Sequence, residues 1–222
     1  MLLFSKTIFH FLVIIYYSIF GVFVLNLLYK LNHKNKNKIL RLIPFFATTL
    51  NLVLQIIYFS VYFLIELNVI LELNIILEEN EYLYIFLDSI HCGAVNPASI
   101  YVCIMYWFLV TLDENLINFS TDISLLNLFP NIFNHFLHTF ICIPVLIQNF
   151  FVQKIDFNIV VYTSIFINLF YILCIYLNKY INNIWIYGLL KSNKYRKYII
   201  LHASIFWYLL VIASTFLISQ KF

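Results

Sequence analysis

The sequence predicts an all-α, polytopic membrane protein: six transmembrane helices in a single multi-pass domain over residues 1–222. Three observations carry this. The hydrophobic fraction is 64% and the charged fraction 10%, against about 45–50% and 25% in soluble domains, and mean hydropathy is +0.93. Six apolar runs each approach the roughly 20 residues needed to cross a bilayer. The basic residues cluster in two of the connections between those runs.

The runs are 7–29, 42–65, 91–112, 131–152, 157–177 and 199–218. The first, from Thr7 to about Leu28, exceeds the apolar core of a signal peptide and lacks a small-residue cleavage site, so it reads as a span. Between the second and third runs, residues 67–90 mix Leu and Ile with acids. With Glu66 just before it, the stretch holds Glu72, Glu78, Glu79, Glu81 and Asp88. It is too acidic to cross, and reads as an amphipathic interfacial stretch continuing into a long third helix. Pro97 falls within that helix and should kink it.

Lys30, Lys34, Lys36, Lys38 and Arg41 follow the first span; Lys179, Lys191, Lys194, Arg196 and Lys197 follow the fifth. The remaining cations are Lys6, Lys154 and Lys221. The positive-inside rule makes the two basic connections cytoplasmic and puts both termini on the other side. The connection 113–130 has no Lys or Arg but contains Asp113, Glu114 and Asp122, a departure from that rule. Spans two and four enter from the same side under either orientation.

That shared entry aligns two reactive side chains. Thr48 follows the basic stretch ending at Arg41, and His138 follows the loop ending at Pro130. Each is expected roughly 10 Å below its helix start, at 1.5 Å per residue. An ionisable side chain inside a membrane helix is a functional hypothesis by default, and a hydroxyl beside a base is a nucleophile pair. Asn134 and His135 precede His138 by four and three residues, on its face of the helix. Thr48, Asn51 and Gln55 form a polar stripe on the second span. Thr49 is chemically as suitable as Thr48 but points about 100° away. The plainer reading is that the hydroxyls bond back to their own helix and the histidines bridge helices.

Other chemistries fit poorly. Membrane di-iron oxygenases need several His-x-x-His boxes, and this chain has only His10, His33, His91, His135, His138 and His202. No metal or cofactor is therefore expected. The sequence has no Gly-x-Ser-x-Gly elbow, Walker motif or dinucleotide fingerprint. Cys92, Cys103, Cys142 and Cys174 lack CxxC spacing and read as small core residues. A net charge of +3, confined to two loops, does not imply nucleic acid. No internal repeat suggests a transporter.

Four segments carry a family resemblance. They are Phe46-Ala47-Thr48-Thr49-Leu50-Asn51-Leu52-Val53-Leu54-Gln55, the spacing of Pro97, Trp107 and Asp113, Phe129-Pro130 with Asn134-His135-Phe136-Leu137-His138-Thr139, and Trp185-Ile186-Tyr187. In these the chain resembles the family of androgen-induced protein 1 and androgen-dependent TFPI-regulating protein, FAR-17a/AIG1-like. The resemblance implies a six-span threonine hydrolase of the endoplasmic reticulum or plasma membrane. Its substrates would be lipid esters taken from the bilayer, such as fatty acid esters of hydroxy fatty acids, with Thr48 as nucleophile and His138 as base. Asn134, Asn51 and His135 are the candidate supporting donors, and the sequence does not choose among them. Gly188 stands where the family often has Pro, and the acidic connection has no clear counterpart; both bear on substrate choice. The alternative is a non-catalytic lipid-binding or scaffolding membrane protein.

Overall fold

A computed structural model describes residues 2–30, 37, 40–71, 81–112 and 135–221. Among these residues there is no strand. A chain crossing hydrocarbon must satisfy its backbone internally, which long helices do. The helices are α1 (Leu2–Lys30), α2 (Ala47–Ile70), α3 (Glu81–Leu112), α4 (Cys142–Gln148), α5 (Phe157–Asn182) and α6 (Asn193–Ser219). Five are long and apolar enough to cross a membrane. The apolar helical stretch containing α4, Leu137–Gln148, is shorter than those five. Residues 131–134, the expected start of the fourth span, lie outside the described residues.

Two helices carry a π-turn. In α3 it spans His91–Val95, immediately before Asn96 and Pro97, and all five of its residues are buried. Pro97 has no N–H to return to the carbonyl four residues earlier, so the helical ladder is altered at the place where the sequence predicts a kink. The second π-turn, Phe136–Phe140, leads into α4. The first brings Gly93 against α5. A Cβ there would stand 2.3 Å from Thr163 Oγ1 and 2.4 Å from the Val160 carbonyl oxygen.

The start of α2 differs from expectation. A 3₁₀ turn over Ile43–Phe45 and an extended Phe46 (φ −75°, ψ 137°) delay the helix to Ala47. Thr48 therefore sits in the first turn of α2, not two turns inside a helix beginning at 42. Pro44 accounts for part of this, since it disfavours helical geometry in the residue before it. Packing supplies the rest. Leu42, Ile175, Ile186 and Leu190 form a small core with Phe45, Phe46, Trp185 and Tyr187, clamping the turn against α5 and the connection after it.

The main core lies among α1, α2, α3 and α4, around Val13, Tyr17, Tyr58, Phe59, Tyr62, Leu87, Val95 and Val145. A second joins α3, α5 and α6 through Cys92, Ala98, Val160, Trp207 and Val211. Trp207 Nε1 donates to Ser164 Oγ at 3.0 Å there. Cys92, Cys142 and Cys174 are buried and unpaired and Cys103 half-buried, as expected of small packing residues.

The acids near the second connection are not all interfacial. Glu66 lies inside α2, fully buried, with Oε2 2.7 Å from His10 Nδ1 of α1. His10 Nε2 is 2.8 Å from Gln148 Oε1, and Gln148 Nε2 donates to Tyr58 Oη at 3.1 Å. Asp88, also buried, accepts from Tyr62 Oη at 2.5 Å and from the Gln153 backbone N–H at 2.8 Å. Residues 81–90 are helical and run into α3, as the amphipathic pattern predicts. Residues 72–80 fall outside the described residues.

Candidate functional site

Three helical segments meet where α2 begins. Thr48 comes from the first turn of α2, His138 from the middle of the second π-turn, and Tyr106 from the C-terminal part of α3. Thr48 Oγ1 and His138 Nε2 are 3.1 Å apart. With Nε2 unprotonated, the hydroxyl donates along that line. Both residues are partly buried. The His138 ring lies flat on the Tyr106 ring, with centroids 3.5 Å apart and planes 8° from parallel. Stacking fixes the plane of the imidazole. A π-turn is rare and often marks a functional site; here one holds the imidazole.

One helical turn further along α2, Asn51 is buried. Its Oδ1 accepts from Ser99 Oγ at 3.2 Å and from Gln55 Nε2 at 3.3 Å. Gln55 Nε2 also donates to Ser99 Oγ at 2.7 Å, and Tyr17 Oη of α1 donates to Gln55 Oε1. The expected stripe Thr48, Asn51, Gln55 thus faces the bundle interior. Cys142 Sγ, one turn after His138, donates to the Ser99 carbonyl at 3.0 Å, which ties α4 to α3 beside the stripe.

His135 is exposed and lies to one side. Its ring centroid is 4.9 Å from that of Trp107, and its Nδ1 is 3.4 Å from Thr139 Oγ1. Trp107 Nε1 donates to the same hydroxyl at 2.9 Å. Asn134 lies outside the described residues. No group of three or more His, Cys, Asp or Glu is placed to hold a metal among the described residues.

The connection between α5 and α6 closes the site from the basic end. Tyr187 Oη accepts from the Ala47 backbone N–H at 3.4 Å and from Tyr171 Oη at 2.8 Å. Burial raises the Tyr187 phenol above its ordinary pKa, so it stays neutral. Arg196 lies 3.8 Å from the Trp185 ring centroid, and its Nε donates to the Leu190 carbonyl at 2.8 Å.

A family model for FAR-17a/AIG1-like proteins matches residues 5–220. The chain belongs to the FAR-17a/AIG1-like family. No curated protein and no solved structure matches it. Membership gives the Trp185-Ile186-Tyr187 motif a physical role: Trp185 seats Arg196, and Tyr187 seats the start of α2. Sequence reasoning missed Tyr106 and Ser99. Their seven-residue spacing puts them on one face of α3, but aromatic residues make up 20% of the chain and hide such a signal.

Two clefts accompany these features. A narrow apolar one, too tight for a water molecule, is lined by Tyr16, Tyr17, Phe20, Leu52, Leu137 and Ile141, directly beside Thr48 and His138 along the chain. A groove of about 730 Å³ runs between α5 and α6, with Val160, Val161, Ile165, Val211 and Ile212 among its lining residues. Neither lining includes Thr48 or His138; the smaller cleft is the one that borders them in sequence, through Leu52 of α2 and Leu137 next to His138.

Proposed function

We propose that this chain hydrolyses lipid esters within the membrane, with Thr48 as nucleophile and His138 as general base. The observation that supports the reading is the 3.1 Å approach of Thr48 Oγ1 to His138 Nε2, the separation a proton transfer needs. In the first half-reaction His138 Nε2 takes the Thr48 proton while Oγ1 bonds to the ester carbonyl carbon. The carbonyl π pair moves to oxygen. Collapse breaks the carbon–alkoxy bond, and the leaving alkoxide takes the proton from His138. In the second half-reaction water attacks the acyl-Thr48 ester and gives its proton to His138. The Thr48 oxygen then leaves, taking that proton, and a fatty acid is released. Tyr106 backs the imidazole throughout and holds its plane.

The surroundings support a lipid substrate. In this reading the site is reached from the bilayer, and the nearby cleft of Leu52, Leu137, Ile141 and aromatic rings suits an acyl chain. α1 and the His138 segment must part to admit it. Fatty acid esters of hydroxy fatty acids fit: the acyl chain would enter the cleft, and the distal carboxylate would remain near the basic connections. In this reading the segment Leu137–Gln148 supplies the sixth crossing, because His138 meets the start of α2 while Gln148 meets His10 near the start of α1. The endoplasmic reticulum or plasma membrane is the proposed location, with Arg41 and 179–197 cytoplasmic. A tag inserted at Lys191 that is reached only from the lumenal or extracellular side reverses that orientation.

The decisive experiment labels full-length, membrane-inserted protein with a lipid fluorophosphonate. Wild type should label at Thr48. Thr48→Ala and His138→Ala should lose labelling and ester hydrolysis together, by at least about 10³-fold, because each removes half of one unit. Insertion should persist, since apolar length decides it. Full labelling of Thr48→Ala would move the nucleophile elsewhere. An unlabelled wild type that still binds fatty acids would favour the lipid-binding alternative.

A further inference from the structure

The start of α2 presents donors that the described residues leave unused. The first four N–H groups of a helix have no intrahelical acceptor. Here the N-cap is Phe46, which provides no side-chain cap. The Ala47 N–H goes to Tyr187 Oη and the Leu50 N–H to the Phe46 carbonyl at 2.9 Å. Those of Thr48 and Thr49, between them, have no acceptor among the described residues. Both belong to partly buried residues, where an unmet donor is costly.

An independent observation lies one turn along the same face. Asn51 is only 3% exposed, and its Nδ2 has no hydrogen-bond partner among the described residues. Its Oδ1 is drawn toward Ser99 and toward Gln55, which lies deeper in α2. Asn51 follows Thr48 by three residues, on the same face of α2. Two backbone donors and one side-chain donor thus belong to the turn and face that carry the hydroxyl aligned with His138. The positive end of the α2 dipole adds to their pull on an anion.

We propose that the backbone N–H groups of Thr48 and Thr49, with the Asn51 side-chain amide, form an oxyanion hole at the start of α2. Tyr187 is the positioning residue that seats this turn. The inference rests on Thr48 being the nucleophile. The chemistry requires the placement: when Oγ1 bonds to the acyl carbon, the carbonyl oxygen becomes an alkoxide one atom away from Oγ1. Covalent geometry holds the nucleophile's own N–H near that oxygen, as in acyl-transfer enzymes that use the nucleophile's backbone amide. Of the three sequence candidates, this selects Asn51. It leaves His135 at the mouth with Trp107 and Thr139.

The test compares a fatty acyl aryl ester with its thionoester, in which sulfur replaces the carbonyl oxygen. Sulfur accepts hydrogen bonds weakly, so the wild-type protein should hydrolyse the oxygen ester at least about 10-fold faster relative to the two spontaneous rates. Thr49→Pro removes one N–H without breaking an intrahelical bond, and is measured against Thr49→Ala, which keeps it. Asn51→Asp keeps the acceptor and removes the donors. Each should lower kcat on the oxygen ester by roughly 10²–10³-fold with KM little changed, while the thionoester rate falls less. The oxygen-to-sulfur ratio should therefore shrink. A wild-type ratio near one, with Thr48 labelled by the fluorophosphonate, overturns the oxyanion hole and leaves the nucleophile standing. So does an unchanged kcat in both donor variants. Failure to label Thr48 overturns both readings. If Thr49→Pro does not fold, the wild-type ratio and Asn51→Asp still decide.

Discussion

At the scale of residues, the site depends on how three side chains constrain one another. Thr48 is held by its place in a helical first turn, and His138 is held from two directions. One is the hydroxyl at 3.1 Å and the other is the Tyr106 ring at 3.5 Å between centroids. A base that must take and return a proton within one turnover gains from a fixed plane. Tyr106→Leu should therefore lower kcat by about 10-fold or more with KM little affected, and Tyr106→Phe should retain most of the rate because the ring remains. Steady-state kinetics on the two variants checks this; a Leu variant as fast as wild type would make the stack incidental. The contact between Thr48 and His138 was legible in the sequence because two spans entering from one side bring their starts to one membrane face. The partner ring was not, since nothing in an aromatic-rich helix singles out Tyr106. Residue chemistry left Thr48 and Thr49 equal; the family resemblance chose Thr48, and the helix register puts its Oγ1 against His138. Asn51 was legible as part of a stripe, but not as an amide with an unmet donor.

At the scale of elements, the departures from regular α-helix coincide with the proposed site or with close packing. The turn at Phe46 exposes the donors of α2, and the π-turn at Phe136–Phe140 presents His138. The π-turn at His91–Val95 lets Gly93 approach α5. Apolar periodicity predicts that helices exist and roughly where they lie, but it carries no information about an extra residue in a turn. The late start of α2 was hidden largely for that reason: residues 42–46 are as apolar as the helix they precede, and Pro44 acts together with packing against Ile186 and Tyr187 to break the helix there. Gly93 gives a direct test. An added Cβ meets the Val160 carbonyl oxygen and Thr163 Oγ1 inside contact distance. The first is backbone and cannot turn aside. Gly93→Ala should cost about 1–3 kcal/mol, the usual range for overpacking, read as a lower melting temperature in detergent. Thr163→Ala in the same background should recover only part of the loss. Full recovery would mean that α5 yields at Val160, and no loss at all would mean that α3 and α5 do not touch as described.

At the scale of the whole molecule, the two ends of the bundle are built differently. The end carrying the proposed site is basic at its rim, with Lys179, Lys191, Lys194 and Lys197 exposed or nearly so. The other end has an exposed Lys154–Glu81 pair at its rim and also carries charges inside. Lys6, His10, Glu66 and Asp88 are all buried there, Lys6 lying 5.6 Å from the Tyr62 ring centroid. Eighteen residues of α2 separate Thr48 from Glu66, about 27 Å at helical rise, so the far cluster does not touch the proposed reaction. Its role is to fix α1 against α2 and Gln148, which also sets the wall of Tyr16, Tyr17 and Phe20 beside the acyl cleft. Sequence reading assigned the acids to the interface because acidic side chains in a span are costly unless paired, and the pairing depends on α1, 56 residues away from Glu66. A buried pair of this kind is far more sensitive to losing one member than to losing both. His10→Leu should destabilise most, by roughly 3–5 kcal/mol, because it leaves the Glu66 carboxylate without its imidazole. Glu66→Leu should cost less, since it removes the charge and strands only a neutral ring. The double variant His10→Leu with Glu66→Leu should be more stable than His10→Leu alone, giving a clear coupling energy in a double-mutant cycle. Thermal unfolding of the four proteins in one detergent measures it. Losses that simply add would show that His10 and Glu66 stabilise the bundle separately, and that α1 is held by its apolar face around Val13 and Tyr17 instead.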